Sequence, residues 1–213
     1  MCIFGFSVFG KDVVFTAQTH YYTDNRSLPE NRKDHSFRFL DRTYVFTTDD
    51  GVFAKRGVDY GTQLLLKNAV KEELSGTVLD LGCGYGVISV IIASLFPECR
   101  VVGSDVNSRA LELTLLNCRN NGTAAEAVLS DGFSQIPYTV DAVISNPPIR
   151  TGKQKVYALF DDVHAHLKDG GVFLAVMRRQ HGAESAVRKL TELFGNCAVT
   201  DRDKGFWILR AVK

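Results

Sequence analysis

The chain has 213 residues, of which 45% are hydrophobic, and its formal net charge is +1 at neutral pH. This length and composition allow one sizeable hydrophobic core with a small appendage. A charge so close to zero excludes a protein that attracts nucleic acid through its overall charge, so any such contact has to come from a local basic patch.

Cysteine usage and apolar runs limit the cellular context. The five cysteines are an odd number without C-x-x-C spacing, so we expect reduced, mostly buried thiols in a cytoplasmic protein, and no metal site. No apolar run approaches the roughly 20 residues that span a bilayer. Residues 1–19 are apolar but interrupted by glycines and charges, unlike a signal peptide, and we assign them no role.

The first predicted elements are a hairpin and a helix. Apolar and polar residues alternate over Ser36–Leu40 and Thr43–Thr47, which predicts a β-hairpin, and a helix is predicted over Gly61–Leu74. We therefore interpret residues 20–60 as an N-terminal hairpin with a linker, and residues 61–213 as the main domain.

From residue 77 onward, predicted strands and helices alternate. Strands are predicted near 77–81, 100–104, 126–130, 140–145 and 171–177, with two more in 197–213, and helices near 86–96, 107–120, 153–168 and 183–194. The apolar stripe predicted to face the core from the helix near 153–168 consists of Val156, Leu159, Phe160, Val163 and Leu167. Such alternation requires a parallel sheet with helices on both faces. The expected fold class is α/β: a Rossmann-like, mostly parallel sheet of seven strands with an antiparallel edge hairpin, preceded by an N-terminal β-hairpin.

The first strand of this unit runs into a glycine-rich turn that extends from Asp80 to Gly86. Alternate glycines let the backbone approach a ligand closely, and the following helix presents its first amides to it. A dinucleotide turn of the G-x-G-x-x-G kind is the alternative, but its third glycine would fall at Val87. The residues expected to contact a nucleotide-like cofactor here are Gly82, Cys83, Gly84 and Gly86.

Acidic residues at strand ends are candidates for the same site, because ligands of such sheets bind beyond the carboxyl ends of the strands. The second strand ends at Asp105, 19 residues after Gly86, where a carboxylate can accept both hydroxyls of a ribose. We place the next residue, Val106, in the same site. Asp105 could instead be the N-cap of the next helix, a role for which Asn107 and Ser108 compete.

Two further aspartates are candidates for the same site. Asp131, followed by Gly132, ends the third strand and can accept the amino group of an adenine, or it is simply a turn aspartate. Asp80 can accept an ammonium group of the cofactor, either directly or through water.

A second motif, Asn146-Pro147-Pro148-Ile149, follows the predicted fourth strand. Together with the glycine turn, it resembles class I S-adenosylmethionine (SAM) methyltransferases that modify amino nitrogens. From about residue 20 onward, the chain is similar to small-domain methyltransferases related to the guanine-N2 methyltransferase of small-subunit ribosomal RNA. Other segments that carry this resemblance are Gly51-Val52-Phe53, Val58–Leu66 and Asp105-Val106-Asn107. Adenine and protein-glutamine methyltransferases usually have an aromatic residue where this chain has Ile149.

The resemblance implies SAM as the methyl donor and the N2 amine of a guanine as the acceptor. An exocyclic aromatic amine is a poor nucleophile because its lone pair is conjugated into the ring, so two acceptors have to orient its N–H groups. The side-chain oxygen of Asn146 and the carbonyl of Pro147 are suitable, since two prolines hold the turn rigid. Asn146 is neutral, so the proton would leave to water. The alternative is a rigid loop that merely ends a strand.

Basic residues follow this turn and the fifth strand. We expect Arg150, Lys153 and Arg179 to contact RNA phosphates, and Pro148 and Ile149 to contact the substrate; solvated loop charge is the alternative. The expected partner is ribosomal RNA or the small ribosomal subunit, and the oligomeric state is left open. Other possible functions are a protein-glutamine or small-molecule amine N-methyltransferase and a non-catalytic SAM-binding protein.

Overall fold

The computed structural model describes residues 31–52, 54, 57–148 and 152–213. A two-stranded hairpin precedes a seven-stranded sheet. The elements, in chain order, are β1 (Lys33–Phe39), β2 (Arg42–Thr48), α1 (Tyr60–Ala69), β3 (Thr77–Leu81), α2 (Val87–Leu95), β4 (Arg100–Asp105), α3 (Ser108–Asn120), β5 (Glu126–Leu129), β6 (Val140–Ser145), α4 (Lys153–His166), β7 (Leu167–Arg178), α5 (Ala183–Phe194), β8 (Ala198–Asp203) and β9 (Phe206–Val212). A single 3₁₀ turn over Arg179–His181 connects β7 to α5.

The sheet has the strand order β5-β4-β3-β6-β7-β9-β8. The first five strands in that order are parallel, whereas β9 pairs antiparallel with both β7 and β8. The fold predicted from the sequence is therefore confirmed, including its antiparallel edge. The strand order reverses between β3 and β6, whose last residues, Leu81 and Ser145, are paired. The glycine turn and the Asn-Pro-Pro turn thus leave the sheet side by side, where such sheets bind ligands.

Helices cover both faces of the sheet. Successive residues of β3 point to opposite faces, so that Val78 packs with α1, α2 and α3, whereas Leu79 packs with α4 and α5. Helix α2 is buried over its first six residues, which explains why its sequence is apolar all round. It ends at Leu95, one residue before the predicted end, because Phe96 precedes Pro97 and a residue before proline disfavours the helical conformation.

Two further helix ends were predicted wrongly. Helix α1 ends at Ala69, because the chain then turns and brings Glu72 to Arg210 of β9. These two side chains form a bidentate ion pair at 2.8 and 3.0 Å. Helix α4 ends at His166, because Leu167 already pairs with Val140 in the sheet. Both ends depend on partners that are distant in sequence.

The hairpin packs on α3. Its strands pair from Lys33–Thr48 to Phe39–Arg42, so that the turn consists of Leu40 and Asp41. The predicted strands had placed the turn one residue later, at Asp41 and Arg42. The aromatic side chains of the hairpin, among them Tyr44 and Phe46, belong to the same hydrophobic cluster as α1, α2 and α3.

Within the described ranges, the helices are too short or too polar to cross a membrane. No group of side chains there could hold a metal ion.

Candidate active site

The carboxyl ends of β3, β4, β5 and β6 surround a cavity of about 190 Å³. Ten residues predicted from the sequence line it: Gly82, Cys83, Gly84, Asp105, Val106, Asp131, Gly132, Asn146, Pro147 and Pro148. Two others, Asp80 and Gly86, do not line it. Ile149 and Arg150 lie outside the described residues.

The glycines of the first turn have two different roles. Gly82 and Gly84 adopt φ angles of 78° and 56°, and a Cβ on either would enter open space beside the cavity. These two positions can therefore receive a ligand at backbone distance. Gly86 differs, because a Cβ there would come within 2.8 Å of the Thr114 side chain and 2.9 Å of its Cα in α3. The structure thus gives Gly86 a packing role between α2 and α3, and its expected contact with the cofactor stays a prediction.

The carboxylate of Asp105 connects the glycine turn with the start of α3. Its Oδ2 accepts a hydrogen bond from the Gly84 amide and its Oδ1 one from the Asn107 amide, both at 2.9 Å. Burial raises the pKa of Asp105, although these amide hydrogen bonds oppose the shift. Asn107, and not Asp105, is the N-cap of α3, and it accepts a hydrogen bond from the Arg109 amide at 3.1 Å. The alternative of a helix cap at Asp105 is thereby removed.

Asp80 lies behind the glycine turn and is only 1% exposed. Its Oδ2 accepts hydrogen bonds from the amide and hydroxyl of Ser89 in α2, at 2.9 and 2.6 Å, whereas Oδ1 has no partner among the described residues. Burial raises the pKa of this carboxyl to about 7. The side chain therefore connects β3 to α2 and does not line the cavity; its expected contact with the cofactor, either directly or through water, stays a prediction.

The side chain of Asn146 lies in the cavity wall and is anchored to the first turn of α1. Its Nδ2 donates to Thr62 Oγ1 at 3.0 Å and lies 3.5 Å from both carboxylate oxygens of Asp59. Asp59 is the N-cap of α1 and accepts from the Thr62 amide at 3.2 Å and from the Thr62 hydroxyl at 2.5 Å. Because Nδ2 faces α1, the amide oxygen of Asn146 is left to accept a hydrogen bond from a ligand amine.

Asp59, Thr62 and Leu159 are cavity residues that sequence reasoning missed. Two signals pointed to Asp59 and Thr62: an aspartate before an apolar helical pattern, which is typical of an N-cap, and their place in Val58–Leu66, one of the segments that carry the family resemblance. Leu159 packs against the core cluster of its neighbour Phe160, as predicted, and is half-buried because it also lines the cavity. Helical periodicity predicts that a residue faces inward, but it does not show that the residue also borders a cavity.

Two of the predicted basic residues, Lys153 and Arg179, are described and exposed, and so is a third cation, Arg178. Lys153 begins α4 and its Nζ lies 5.1 Å above the ring of Tyr157. Arg179 forms an exposed ion pair with Glu184 at 3.2 Å. Arg178, at the end of β7, lies 4.4 Å above the ring of Phe206. These cations are available to a ligand at little cost, since exposed ion pairs and exposed cation–π contacts are both weak.

The site fits SAM, because two open glycine positions and a strand-end carboxylate border one cavity. This site, at the reversal of a seven-stranded sheet with an antiparallel edge, is that of a class I SAM-dependent methyltransferase, as the comparisons with known proteins also show. The model of the family described as "Methyltransferase small domain" matches residues 43–210. The chain belongs to this family.

Several known proteins are similar to this chain over most of its length. The uncharacterized protein YbxB of Bacillus subtilis is 40% identical over 91% of this chain and 98% of its own length. The ribosomal RNA small subunit methyltransferase C of Shewanella pealeana is 35% identical over 76% of this chain and 48% of its own length. A solved structure, the Thermus thermophilus 16S rRNA N2 G1207 methyltransferase in complex with AdoMet and guanosine, has a TM-score of 0.79 and 27% identity, and the match covers 87% of this chain and 52% of that one. The chain thus spans about half the length of these two methyltransferases.

Proposed function

We propose that this protein transfers the methyl group of SAM to the exocyclic N2 amine of a guanine in small-subunit ribosomal RNA. The observation that carries the proposal is the side chain of Asn146, held in the cavity wall beside the glycine turn with its amide nitrogen directed to Thr62. Relatives named for the methylation of small-subunit ribosomal RNA support this substrate class. The cytoplasm is the corresponding proposed location.

The cofactor would be held by residues from three strand ends. The backbone at Gly82 and Gly84 would contact it closely, Asp105 would accept the hydroxyls of its ribose, and Asp131 would accept its adenine amino group. Asp131 is exposed at the edge of the cavity, consistent with a contact to a group that enters from solvent. Bound SAM would supply an electrophilic methyl group on a sulfonium sulfur.

The residues of this chain would contribute by orienting the exocyclic amine of the guanine. The Oδ1 of Asn146 and the carbonyl of Pro147 would accept the two N–H groups of the guanine amine, which directs the nitrogen lone pair away from them. Both residues line the cavity, so the acceptors border the space where the cofactor would lie. Asn146 carries no charge and takes up no proton, so the proton would leave to water.

RNA would be bound through phosphates at the rim of this site. Lys153 and Arg179 are exposed and can contact them, and we retain Arg150, Pro148 and Ile149 as proposed substrate contacts. A guanine that pairs and stacks in a duplex cannot place its N2 in a cavity, so unpaired guanines should be preferred. The chain spans about half the length of the ribosomal RNA methyltransferases that it matches. We therefore propose RNA recognition from the residues of this chain alone.

The test is radiolabelled SAM with ribosomal RNA, isolated small subunits and bulk protein as substrates, followed by nucleoside and amino-acid analysis. We expect the label in N2-methylguanosine of small-subunit RNA. Label in methylglutamine, or in N6-methyladenosine, would contradict the substrate and leave the fold and cofactor unaffected.

The variant Asn146→Ala separates chemistry from binding. It should retain most of its SAM affinity, because the glycine turn and Asp105 are intact, while single-turnover methyl transfer falls about a hundredfold or more. Asn196→Ala is the matched control, since its amide bonds to the backbone of Phe194 and Val212, away from the cavity. A rate close to wild type in Asn146→Ala would mean that the Asn-Pro-Pro turn is only structural.

A further inference from the structure

The orientation of the Asn146 amide is determined by a short chain of hydrogen bonds that begins on α1. Asn146 Nδ2 donates to Thr62 Oγ1 at 3.0 Å, and the Thr62 hydroxyl donates to Asp59 Oδ2 at 2.5 Å. The chain joins residues 84 positions apart, across the gap between the start of α1 and the end of β6.

The chemistry of each group permits only one direction along this chain. A carboxylate has no proton to donate, so Asp59 must receive the single hydroxyl proton of Thr62. The hydroxyl oxygen of Thr62 can then only accept from Asn146. Asn146 must therefore present its NH2 group to α1 and its oxygen on the opposite side.

We propose that Asp59 and Thr62 are positioning residues that hold the Asn146 amide with its oxygen toward the substrate amine. The two ends of an asparagine amide have nearly the same shape, so packing alone distinguishes them poorly. A reversed amide would direct two N–H donors at an amine that is itself a donor, and the amine could not be oriented. This inference rests on the proposed amine methylation, in which Asn146 acts only as an acceptor.

Asp59→Asn tests the direction of the chain while retaining a helix-capping side chain. Asparagine is also a good N-cap and can still accept from the Thr62 amide, but its own NH2 can now donate to the Thr62 hydroxyl. The chain can then run in reverse, with Thr62 donating to an inverted Asn146. We expect kcat for methyl transfer to fall about ten- to a hundredfold, as for a misplaced reactive group.

Thr62→Val removes the hydroxyl and keeps the shape of the side chain, whereas Thr62→Ser restores the hydroxyl. The valine variant should lose about tenfold or more in kcat, and the serine variant should recover most of that loss. Gln63→Ala is the matched control, because it removes a hydrogen bond of the same helical turn, from Nε2 to the Val58 carbonyl at 2.8 Å, and does not contact Asn146. Its rate should equal that of the wild type.

A second measurement does not depend on the substrate. The side-chain NH2 signals of Asn146, assigned by their loss in Asn146→Ala, should shift and exchange faster with solvent in Thr62→Val and Asp59→Asn, but not in Gln63→Ala. If these signals change while the wild type methylates no ribosomal RNA, the positioning role stands and the proposed substrate is wrong. Wild-type rates together with unchanged signals in folded Thr62→Val would overturn the positioning role.

Discussion

At the scale of single residues, the orientation of the Asp105 carboxylate depends on a partner that is distant in sequence, the amide of Gly84. Its two carboxylate oxygens accept from the amides of Gly84 and Asn107, and it lines the cavity that contains the open glycine positions. A ligand hydroxyl that reaches this carboxylate would therefore meet an acceptor whose orientation is already determined. Such preorganisation reduces the entropic cost of binding.

Asp105→Ala should lower the affinity for SAM roughly ten- to a hundredfold, because hydrogen bonds to a charged group are worth about 1.5–3 kcal/mol. Calorimetric titration of the folded variant measures this directly. The control is Asp161→Ala, which removes an exposed carboxylate of α4 that pairs with Lys189 outside the cavity. Unchanged affinity in Asp105→Ala would exclude Asp105 from the cofactor site.

At the scale of elements, α3 supplies hydrogen bonds to the backbone of β2. The side-chain amide of Asn117 binds both the N–H and the C=O of Thr47, at 2.7 and 3.0 Å. Asn121, one helical turn later, binds the same two groups of Val45, at 2.9 and 2.8 Å. The side chains of these two asparagines thus form the hydrogen bonds to alternate backbone groups of β2 that a neighbouring strand would otherwise form.

Asn117→Ala should lower the free energy of unfolding by about 2–3 kcal/mol, because buried polar groups of Thr47 and the carbonyl of Tyr85 lose their partner. Asn121→Ala is the comparison, since its bonds to Val45 are exposed and water can replace them. The free energy of unfolding of Asn121→Ala should fall by less than about 1 kcal/mol. Urea denaturation of both variants tests the difference, and equal losses would contradict it.

At the scale of the whole molecule, Asp80 should make global stability depend on pH. Burial raises the pKa of its carboxyl to about 7, whereas an aspartate in an unfolded chain has a pKa of about 3.9. Between these values the folded state holds a proton that the unfolded chain has lost. The corresponding stability is fully present below the unfolded pKa and is lost as the pH rises through the folded one.

Between about pH 5.5 and about pH 8, the free energy of unfolding of the wild type should thus fall by about 2 kcal/mol more than that of Asp80→Asn. The asparagine retains an acceptor for Ser89 but does not titrate in this range. Urea denaturation at both pH values gives the two differences in unfolding free energy. Parallel pH dependence in the two proteins would show that Asp80 is ionised throughout.

The net charge of the whole molecule, +1, provides no general attraction for RNA, so RNA binding should depend on local basic residues. The proposed phosphate contacts should make affinity fall steeply with salt, and replacing Lys153 or Arg179 by alanine should reduce that slope by about one each. Fluorescence anisotropy with an RNA fragment at several salt concentrations measures the slope. Arg188→Ala on α5, away from the site-lining residues, is a charge-matched control. An unchanged slope in both variants would exclude these contacts.

By itself, the sequence determined the order of strands and helices, the mostly parallel sheet and the two turns at its carboxyl edge. These features are local: the alternation of apolar residues, glycines and prolines acts within a few residues of the chain. Ten of the predicted site residues line one cavity for the same reason, since each lies at or just after the end of a predicted strand.

The tertiary structure alone decided what individual side chains do at that edge. Gly86 is required by Thr114 of α3, Asp80 is buried against Ser89, and Asn146 is held by Asp59 from 87 positions away. No local pattern contains these contacts, because they exist only once α1, α2 and α3 have packed on the sheet. A periodic pattern predicts that a residue faces inward, but the partner it meets there depends on how distant segments come together.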